Sequence, residues 1–289
     1  MHDFEYYQPK STDELKAVLD RTGGRLVAGG TDVLPRLRRG QLTDACLIDI
    51  SRLADLRYIR QVDGQLEFGA LTTYAELIAS PLIQQEAAAL AQAAATVGCP
   101  QTRYRGTVGG NLANASPAAD SAPPLLTLDA DVHLFSAKTA RAVPLRDFFV
   151  GPGKTCLEAG EYIHHVTTMR PSGKWGAAFY KLGKRSGMAI SIASVAAYLE
   201  LGADGRLRAA RLAFGSVAPC PVRGSHAEEV LLGKVPSLQL FEQAGRASLA
   251  DIAPIGDVRA SFEYRVHVVP VLAQRVLMTA WQQSEKRSA

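Results

Sequence analysis

The 289-residue chain lacks paired cysteines. Cys46, Cys99, Cys156 and Cys220 are each more than 50 residues from the next, and no C-x-x-C occurs. That excludes a zinc ribbon or an iron–sulfur cluster held by this chain and suggests reduced, mostly buried thiols in a cytoplasmic protein. No apolar run reaches the roughly 18 residues a membrane-spanning helix needs, and the start, MHDFEYYQPKSTDE, has neither the basic head nor the apolar stretch of a signal peptide. A strong charge of one sign is missing too. The net charge of +4 is mild and dispersed, so nucleic acid is not an expected partner. The histidines (His2, His133, His164, His165, His226, His267) show no metal-ligand spacing. His164 and His165 fall on a strand pattern that sends them to opposite faces. There is no G-x-S-x-G, no G-x-G-x-x-G, and no Asp/Glu pair that stands out as acid and base. Gly151-Pro152-Gly153-Lys154-Thr155 ends like a P-loop, but the first glycine that motif requires is Phe148, so a turn is expected.

What the chain does have is two glycine turns. Gly106 to Asp120, GTVGGNLANASPAAD, carries three glycines, then Asn111, Asn114, Ser116 and Asp120, with no Lys or Arg between Arg105 and Lys138. Successive backbone N–H groups in such a loop can cradle an anion without a cationic side chain. The other turn, Gly29-Gly30-Thr31-Asp32, follows a short apolar run, Leu26-Val27-Ala28. Two such turns can grip the two phosphates of a dinucleotide. With no acid, base or nucleophile on offer, the cofactor would carry the reactivity, and flavin is the natural candidate.

The periodicities give an α+β chain. Residues 11–22 read as a capped helix, 45–50 as a buried strand, and the first 58 residues as a β-α-β unit. Strands are expected at 66–71, 132–135, 162–169, 178–182, 189–201 and 207–214, the last two antiparallel. Helices are expected at 74–79, 82–97, 125–128, 226–233 and 237–252. An apolar stripe over 262–283 is interrupted by Pro270, which predicts a kink or two abutting helices. A composition change near Arg170–Gly176 sets a boundary at about residue 175. The second part lacks glycine-rich loops, which points to packing or docking more than to cofactor contact.

Five segments then match one family in order and spacing: Ala28 to Asp32, Gln101 to Asn111 (QTRYRGTVGGN), Ala115 to Asp120 (ASPAAD), Phe149 to Thr155 (FVGPGKT) and Tyr180 to Arg185 (YKLGKR). Over nearly its whole length the chain resembles the FAD-binding (medium) subunit of the molybdenum hydroxylases, the xanthine dehydrogenase and carbon monoxide dehydrogenase group. The resemblance implies a two-part FAD-binding domain of the vanillyl-alcohol-oxidase (PCMH) type over 1–175, with subdomains of about 1–58 and 59–175. A smaller α+β domain with an antiparallel sheet and helices would follow over 176–289. It implies that Val27, Ala28, Gly29, Gly30, Thr31, Asp32, Val33 and Leu34 wrap the FAD pyrophosphate through backbone N–H groups. Thr107, Val108, Gly109, Gly110 and Asn111 would do so from the other side. Ser116 and Asp120 would bond ribityl, phosphate or ribose oxygens, Ile163 and Val97 would line the flavin site, and Lys181, with Tyr180 beside it, would stand near the isoalloxazine ring. Valine at Gly109 or Gly110 would then block the pyrophosphate path and leave the chain folded.

Two departures narrow the resemblance. Asp120 to Phe149 contains no cysteine, unlike the 4-hydroxybenzoyl-CoA reductase branch with its extra cluster loop. Thr31 and Asp32 stand where the carbon monoxide branch has His and Ser, which favours xanthine dehydrogenase-like or other N-heterocycle and aldehyde hydroxylases. No histidine lies in either turn, so FAD is expected to be non-covalent. The implied role is an electron-transfer subunit without catalytic side chains or metal of its own. It would accept electrons from [2Fe–2S] clusters on a small subunit, fed by molybdopterin on a large subunit, and pass them to NAD+ or another acceptor, in a dimer of heterotrimers. A stand-alone flavin oxidase and a flavin-free assembly or nucleotide-binding protein are the rival readings.

Overall fold

The computed structural model describes residues 3–287. The chain opens with β1 (Glu5–Tyr7), α1 (Thr12–Thr22), β2 (Arg25–Val27), α2 (Val33–Arg38) and β3 (Cys46–Asp49). The three strands form a parallel sheet in the order β1-β3-β2. Helix α1 begins where Ser11 accepts the Glu14 N–H and ends where Gly23 takes a left-handed φ of 58°. Its Leu15, Val18 and Leu19 pack on Ile48.

Next come β4 (Ile59–Val62), β5 (Gln65–Gly69), α3 (Tyr74–Ala79), α4 (Pro81–Glu86), α5 (Ala88–Thr96), α6 (Pro100–Arg105), α7 (Val108–Asn114) and α8 (Ala122–Thr127). They are followed by β6 (Asp131–Phe135), β7 (Ala140–Pro144), α9 (Leu145–Phe148), β8 (Phe149–Gly151), β9 (Lys154–Thr155) and β10 (Tyr162–Thr168). An antiparallel sheet runs β4-β5-β10-β6-β7. The alanine-rich stretch expected as one helix is two, because Ala87 leaves helical geometry (φ −137°, ψ 47°) between α4 and α5. Gly153 turns the β8–β9 hairpin with φ +69°. All four cysteines are free and half-buried rather than mostly buried.

The last part holds β11 (Lys174–Leu182), β12 (Ala193–Leu201), β13 (Leu207–Gly215), β14 (Val222–Arg223), α10 (Ser225–Leu231), α11 (Leu238–Ala247) and α12 (Phe262–Lys286). The four strands form an antiparallel sheet in sequence order. One face, with Trp175, Phe179 and Tyr198, packs into the core shared with α5 and α8. The other, with Val195, Leu199 and Phe214, packs on α10–α12. Covered on both sides, all nine residues of β12 are buried, hence a sequence, ASVAAYLEL, in which only Ser194 and Glu200 are polar. Helix α12 passes through Pro270 as one 25-residue element instead of breaking. Gly245 of α11 lies against the Pro270 carbonyl, where a Cβ would be 2.7 Å away, so tertiary packing carries the helix across the proline.

The two histidines of β10 do not point to opposite faces. The β10–β6 register shifts between Ile163 and His165, a bulge that defeats strict alternation. The His164 and His165 Nδ1 atoms come within 2.9 Å, His165 stacks on His133 at 4.0 Å, and His164 stacks on Phe135 at 4.3 Å. Among the described residues no three His, Cys, Asp or Glu side chains are placed to hold a metal ion.

Two measurements check this packing. At Gly176, a Cβ would sit 1.9 Å from the Ala280 carbonyl of α12. Gly176→Ala should therefore cost about 2–3 kcal/mol in a denaturant titration, since α12 must lift to admit it. For His165, burial and then the neighbouring His133 hold the pKa down to about 4 from 6.5. The folded chain therefore binds fewer protons than the unfolded one between those values. His165 contributes stability that is present above pH 6.5 and lost as pH falls toward 4. His165→Gln should flatten the acid limb of a Tm-against-pH curve in that window, and an unchanged limb contradicts the assignment.

Candidate functional site

A cavity of about 720 Å³ lies between the parallel sheet and the α6–α7 segment. That is within the roughly 300–1,000 Å³ range of ligand sites. Of the residues expected at a site, it is lined by Ala28, Gly29, Gly30, Thr31, Asp32, Val33, Val97, Thr107, Gly109, Gly110, Asn111, Ser116, Asp120, Ile163 and Lys181. Four are not brought there. Val27 is buried under α2 with Leu37 and Leu47. Leu34 is half exposed and folds back toward Gly30. Val108 is fully buried in the main core. Tyr180 points outward, its hydroxyl 3.1 Å from Thr279 Oγ1.

The first turn is an open cradle. Parallel strand β2 delivers the chain to Ala28. Gly29 then has the Arg105 carbonyl where a side chain would be, 1.7 Å from a notional Cβ, and Gly30 takes φ +71°. Beyond them, the N–H of Leu34 bonds the Gly30 carbonyl and that of Arg36 bonds the Asp32 carbonyl. The N–H groups of Gly29, Gly30, Thr31 and Asp32 find no acceptor among the described residues. Consecutive unpaired N–H groups at a cavity wall form an anion nest. The Asp32 carboxylate is drawn aside by Arg36 at 3.3 Å.

The second turn is built differently from a mirror-image cradle. The Val108 N–H bonds Thr72 O (3.0 Å), Gly109 bonds Ala70 O (2.9 Å), and Asn111 bonds Thr107 O (3.0 Å). The Thr107 hydroxyl caps Gly110 N–H at 3.1 Å. These donors are already used, and of Thr107 to Asn111 only the Thr107 N–H has no acceptor among the described residues, so this side offers chiefly side chains. Asn111 accepts from Ser121 Oγ at 2.6 Å, leaving its amide nitrogen for a ligand, and Asn114 and Ser116 line the same wall. The two glycines also differ. A Cβ on Gly109 would meet Ala70 at 2.6 Å, so packing demands glycine there. At Gly110 only Thr107 Oγ1 (3.0 Å) and Ala28 Cβ (4.0 Å) are near.

A charged pair closes the cavity, Lys181 from the C-terminal part meeting Asp120 at the end of the second glycine segment. Lys181 Nζ lies 2.5 Å from Asp120 Oδ2, both side chains under a tenth exposed. Lys181 also donates to Thr96 O at 3.1 Å, and Ser191 Oγ donates to Asp120 Oδ1 at 2.6 Å. Burial raises the Asp120 pKa, opposed by Lys181 and Ser191. Lys181 is thus neither a solvated strand lysine nor unpaired, and Asp120 is occupied by protein partners. The loop between β11 and β12 brings Met188, Ala189 and Ile190 to the wall, so the second part contributes directly to the site despite its lack of glycine-rich motifs.

Reading by motif also missed Tyr162 and Glu161. Tyr162 is buried at the wall with its hydroxyl unpartnered, and burial pushes its pKa up to about 12. Arg141 binds Glu161 at 2.7 Å and holds its carboxyl below the usual range. Tyr162 opens β10 and Glu161 directly precedes it, and neither carries a local signal; only the orphaned hydroxyl marks Tyr162, and that needs coordinates. A backbone anion nest, side-chain amides, an unsatisfied tyrosine hydroxyl and a buried cation fit a phosphate-bearing cofactor whose own ring reacts.

Comparison with known proteins agrees with this geometry. Residues 2–168 match the family described as the FAD binding domain in molybdopterin dehydrogenase, and residues 178–280 match the CO dehydrogenase flavoprotein C-terminal domain. The putative xanthine dehydrogenase FAD-binding subunit of Escherichia coli K12 is 37% identical over 285 residues, 97% of each chain. The nicotinate dehydrogenase FAD-subunit of Eubacterium barkeri is 35% identical over 84% of each. Among solved structures, a chain of carbon monoxide dehydrogenase from Hydrogenophaga pseudoflava superposes with a TM-score of 0.93 at 32% identity, covering 98% of both. The chain therefore belongs to the FAD-binding subunits of the molybdopterin dehydrogenases, the xanthine and carbon monoxide dehydrogenase-type oxidoreductases.

Proposed function

We propose that this chain is the flavin-bearing electron relay of a three-component molybdenum hydroxylase, set between a [2Fe–2S] small subunit and NAD+ or another acceptor. The observation that carries the reading is the row of open N–H groups from Gly29 to Asp32, beside a cavity whose lining holds no histidine or cysteine. FAD, when bound, supplies the redox chemistry. The chain's residues bind and orient it. Gly29, Gly30, Thr31 and Asp32 hold the pyrophosphate by N–H donation, while Asn111 and Ser116 orient hydroxyl and phosphate oxygens. Lys181 places a cation by the isoalloxazine, and Asp120 fixes where that cation stands. Val97 and Ile163 exclude water from the apolar parts. No histidine in either turn can tether the cofactor, so it is held non-covalently.

The cavity rim supports a docking role. Met188 (58% exposed) and Ile190 (53%) stand at its edge beside Lys184 and Arg185, a partly apolar, basic surface suited to a small acidic partner. Substrate chemistry resides on a large molybdopterin subunit, and Thr31 and Asp32 favour an N-heterocycle or aldehyde hydroxylase, in keeping with the names of the xanthine and nicotinate relatives. The complex is a cytoplasmic dimer of heterotrimers. The chain divides near residue 175 into a FAD-binding part and a C-terminal part.

Denaturing the purified complex should release FAD, with molybdenum and iron co-purifying; a complex without flavin absorbance is incompatible with the reading. Gly110→Val should abolish FAD retention while Tm moves by no more than a few degrees, because the added side chain fills space between the two turns. Gly109→Val should instead lower stability by about 1–3 kcal/mol through its clash with Ala70. Full FAD content in Gly110→Val would contradict the placement.

A further inference from the structure

Behind the Lys181–Asp120 pair stands one buried guanidinium. Arg265, in the first turn of α12, is 3% exposed. Its Nη1 donates to the carbonyls of Ile192 (2.7 Å) and Ser216 (2.5 Å), and its Nη2 donates to Asp257 Oδ1 (2.8 Å). Asp257 is fixed in turn by the N–H groups of Arg259 and Ala260 and by the Arg259 side chain. A guanidinium this deep is tolerated when its charge is paired and most of its donors are used; here Asp257 and the two carbonyls take Nη1 and Nη2, while Nε has no partner among the described residues.

The two carbonyls lead to opposite ends of one turn. Ile192 follows Ser191, whose hydroxyl holds Asp120 Oδ1, and the Ile192 N–H closes the base of the 183–191 loop on Leu182 O at 2.7 Å. Ser216 leaves β13 with φ +65°, and its N–H bonds Pro117 O at 2.7 Å. One nitrogen therefore ties Ser216, which grips the Ser116–Asp120 turn at Pro117, to the residue next to Ser191, which grips it at Asp120. Lys184 Nζ, bonded to Val258 O at 2.6 Å, makes a second tie between the same loop and the Asp257 segment.

We propose that Arg265 is a positioning residue of the flavin site: by gripping Ile192 and Ser216 it sets where Asp120 stands against Lys181, and through that pair the affinity and reduction potential of the bound cofactor. This rests on the FAD reading. Arg265 touches no ligand; it acts through Ser191 and Pro117. The effects of losing Arg265 and of losing Ser191 must then overlap, because both remove the same restraint on Asp120.

The test is a double-mutant cycle on the full chain with Ser191→Ala and Arg265→Lys, reading the FAD dissociation constant, the midpoint potential of the bound flavin and Tm. Lysine keeps the charge beside Asp257 but cannot reach both carbonyls, which keeps the cycle readable where Arg265→Met would unfold. Each single variant should weaken FAD binding about tenfold, the effect of one lost bond to a charged group. Each should also shift the potential in the same direction, and the double variant should go no further than the weaker-binding single. A double variant weakened about hundredfold, the product of independent effects, overturns the proposal. So does Arg265→Lys with a lowered Tm but an unmoved potential, since that is the mark of a merely structural anchor. Wild-type chain that binds no FAD overturns the cofactor reading itself, and this inference with it.

Discussion

The site depends on one close approach. The Arg105 carbonyl occupies the place a side chain on Gly29 would take, so the first glycine turn rests directly on the backbone that begins the second. Around this contact the Thr73–Thr107 bridge and the Val108 and Gly109 hydrogen bonds to Thr72 and Ala70 pin the second turn to the end of β5. The parallel pairing of β2 with β3 brings in the first turn. A cavity between two turns has a defined width only if their backbones are in contact, and only glycine permits that here.

The pinning divides labour between the turns. Each N–H that the second turn gives to Thr72, Ala70 or Thr107 makes it rigid and removes a donor from the cavity. The first turn, held by its neighbours' bonds and by Gly29, keeps its donors open. Rigid, pre-oriented N–H groups bind an anion without the entropy cost of ordering a loop at the moment of binding. The side chains of Asn111, Asn114 and Ser116 then supply polarity where backbone cannot. From the other half of the chain, Lys181 pairs with Asp120 at the end of the second glycine segment, and Ser191 holds the Asp120 carboxylate from the same side.

How far this was legible in the sequence depends on the range of the forces involved. The glycine turns were legible because positive φ and close approach are local demands that only glycine meets, and Gly29 and Gly30 announce them. The doubly covered strand β12 was legible as a long, largely apolar run. Ala87 was not, since nothing in an alanine-rich stretch marks a break that packing imposes. Pro270 left a kink and a break open as alternatives, and of these the break is absent: α12 is one helix, with Gly245 packed against the proline carbonyl. The β10 bulge, which turns His164 and His165 together, arises from pairing with β6 and leaves no mark in the local pattern. The donor accounting of the second turn was illegible for the same reason, because its acceptors, Ala70 and Thr72, lie more than thirty residues away. Met188 and Tyr162 reach the site through long-range contacts that motif reading does not register.

The central claim is that the open N–H groups of the first turn, and not those of the second, hold the cofactor phosphates. Amide hydrogen exchange with and without FAD reads this directly. The account predicts new protection at Gly29, Gly30, Thr31 and Asp32, with Val108 and Gly109 protected equally in both states by Thr72 and Ala70. New protection confined to Val108–Gly110, with Gly29–Asp32 still exchanging freely, would contradict it.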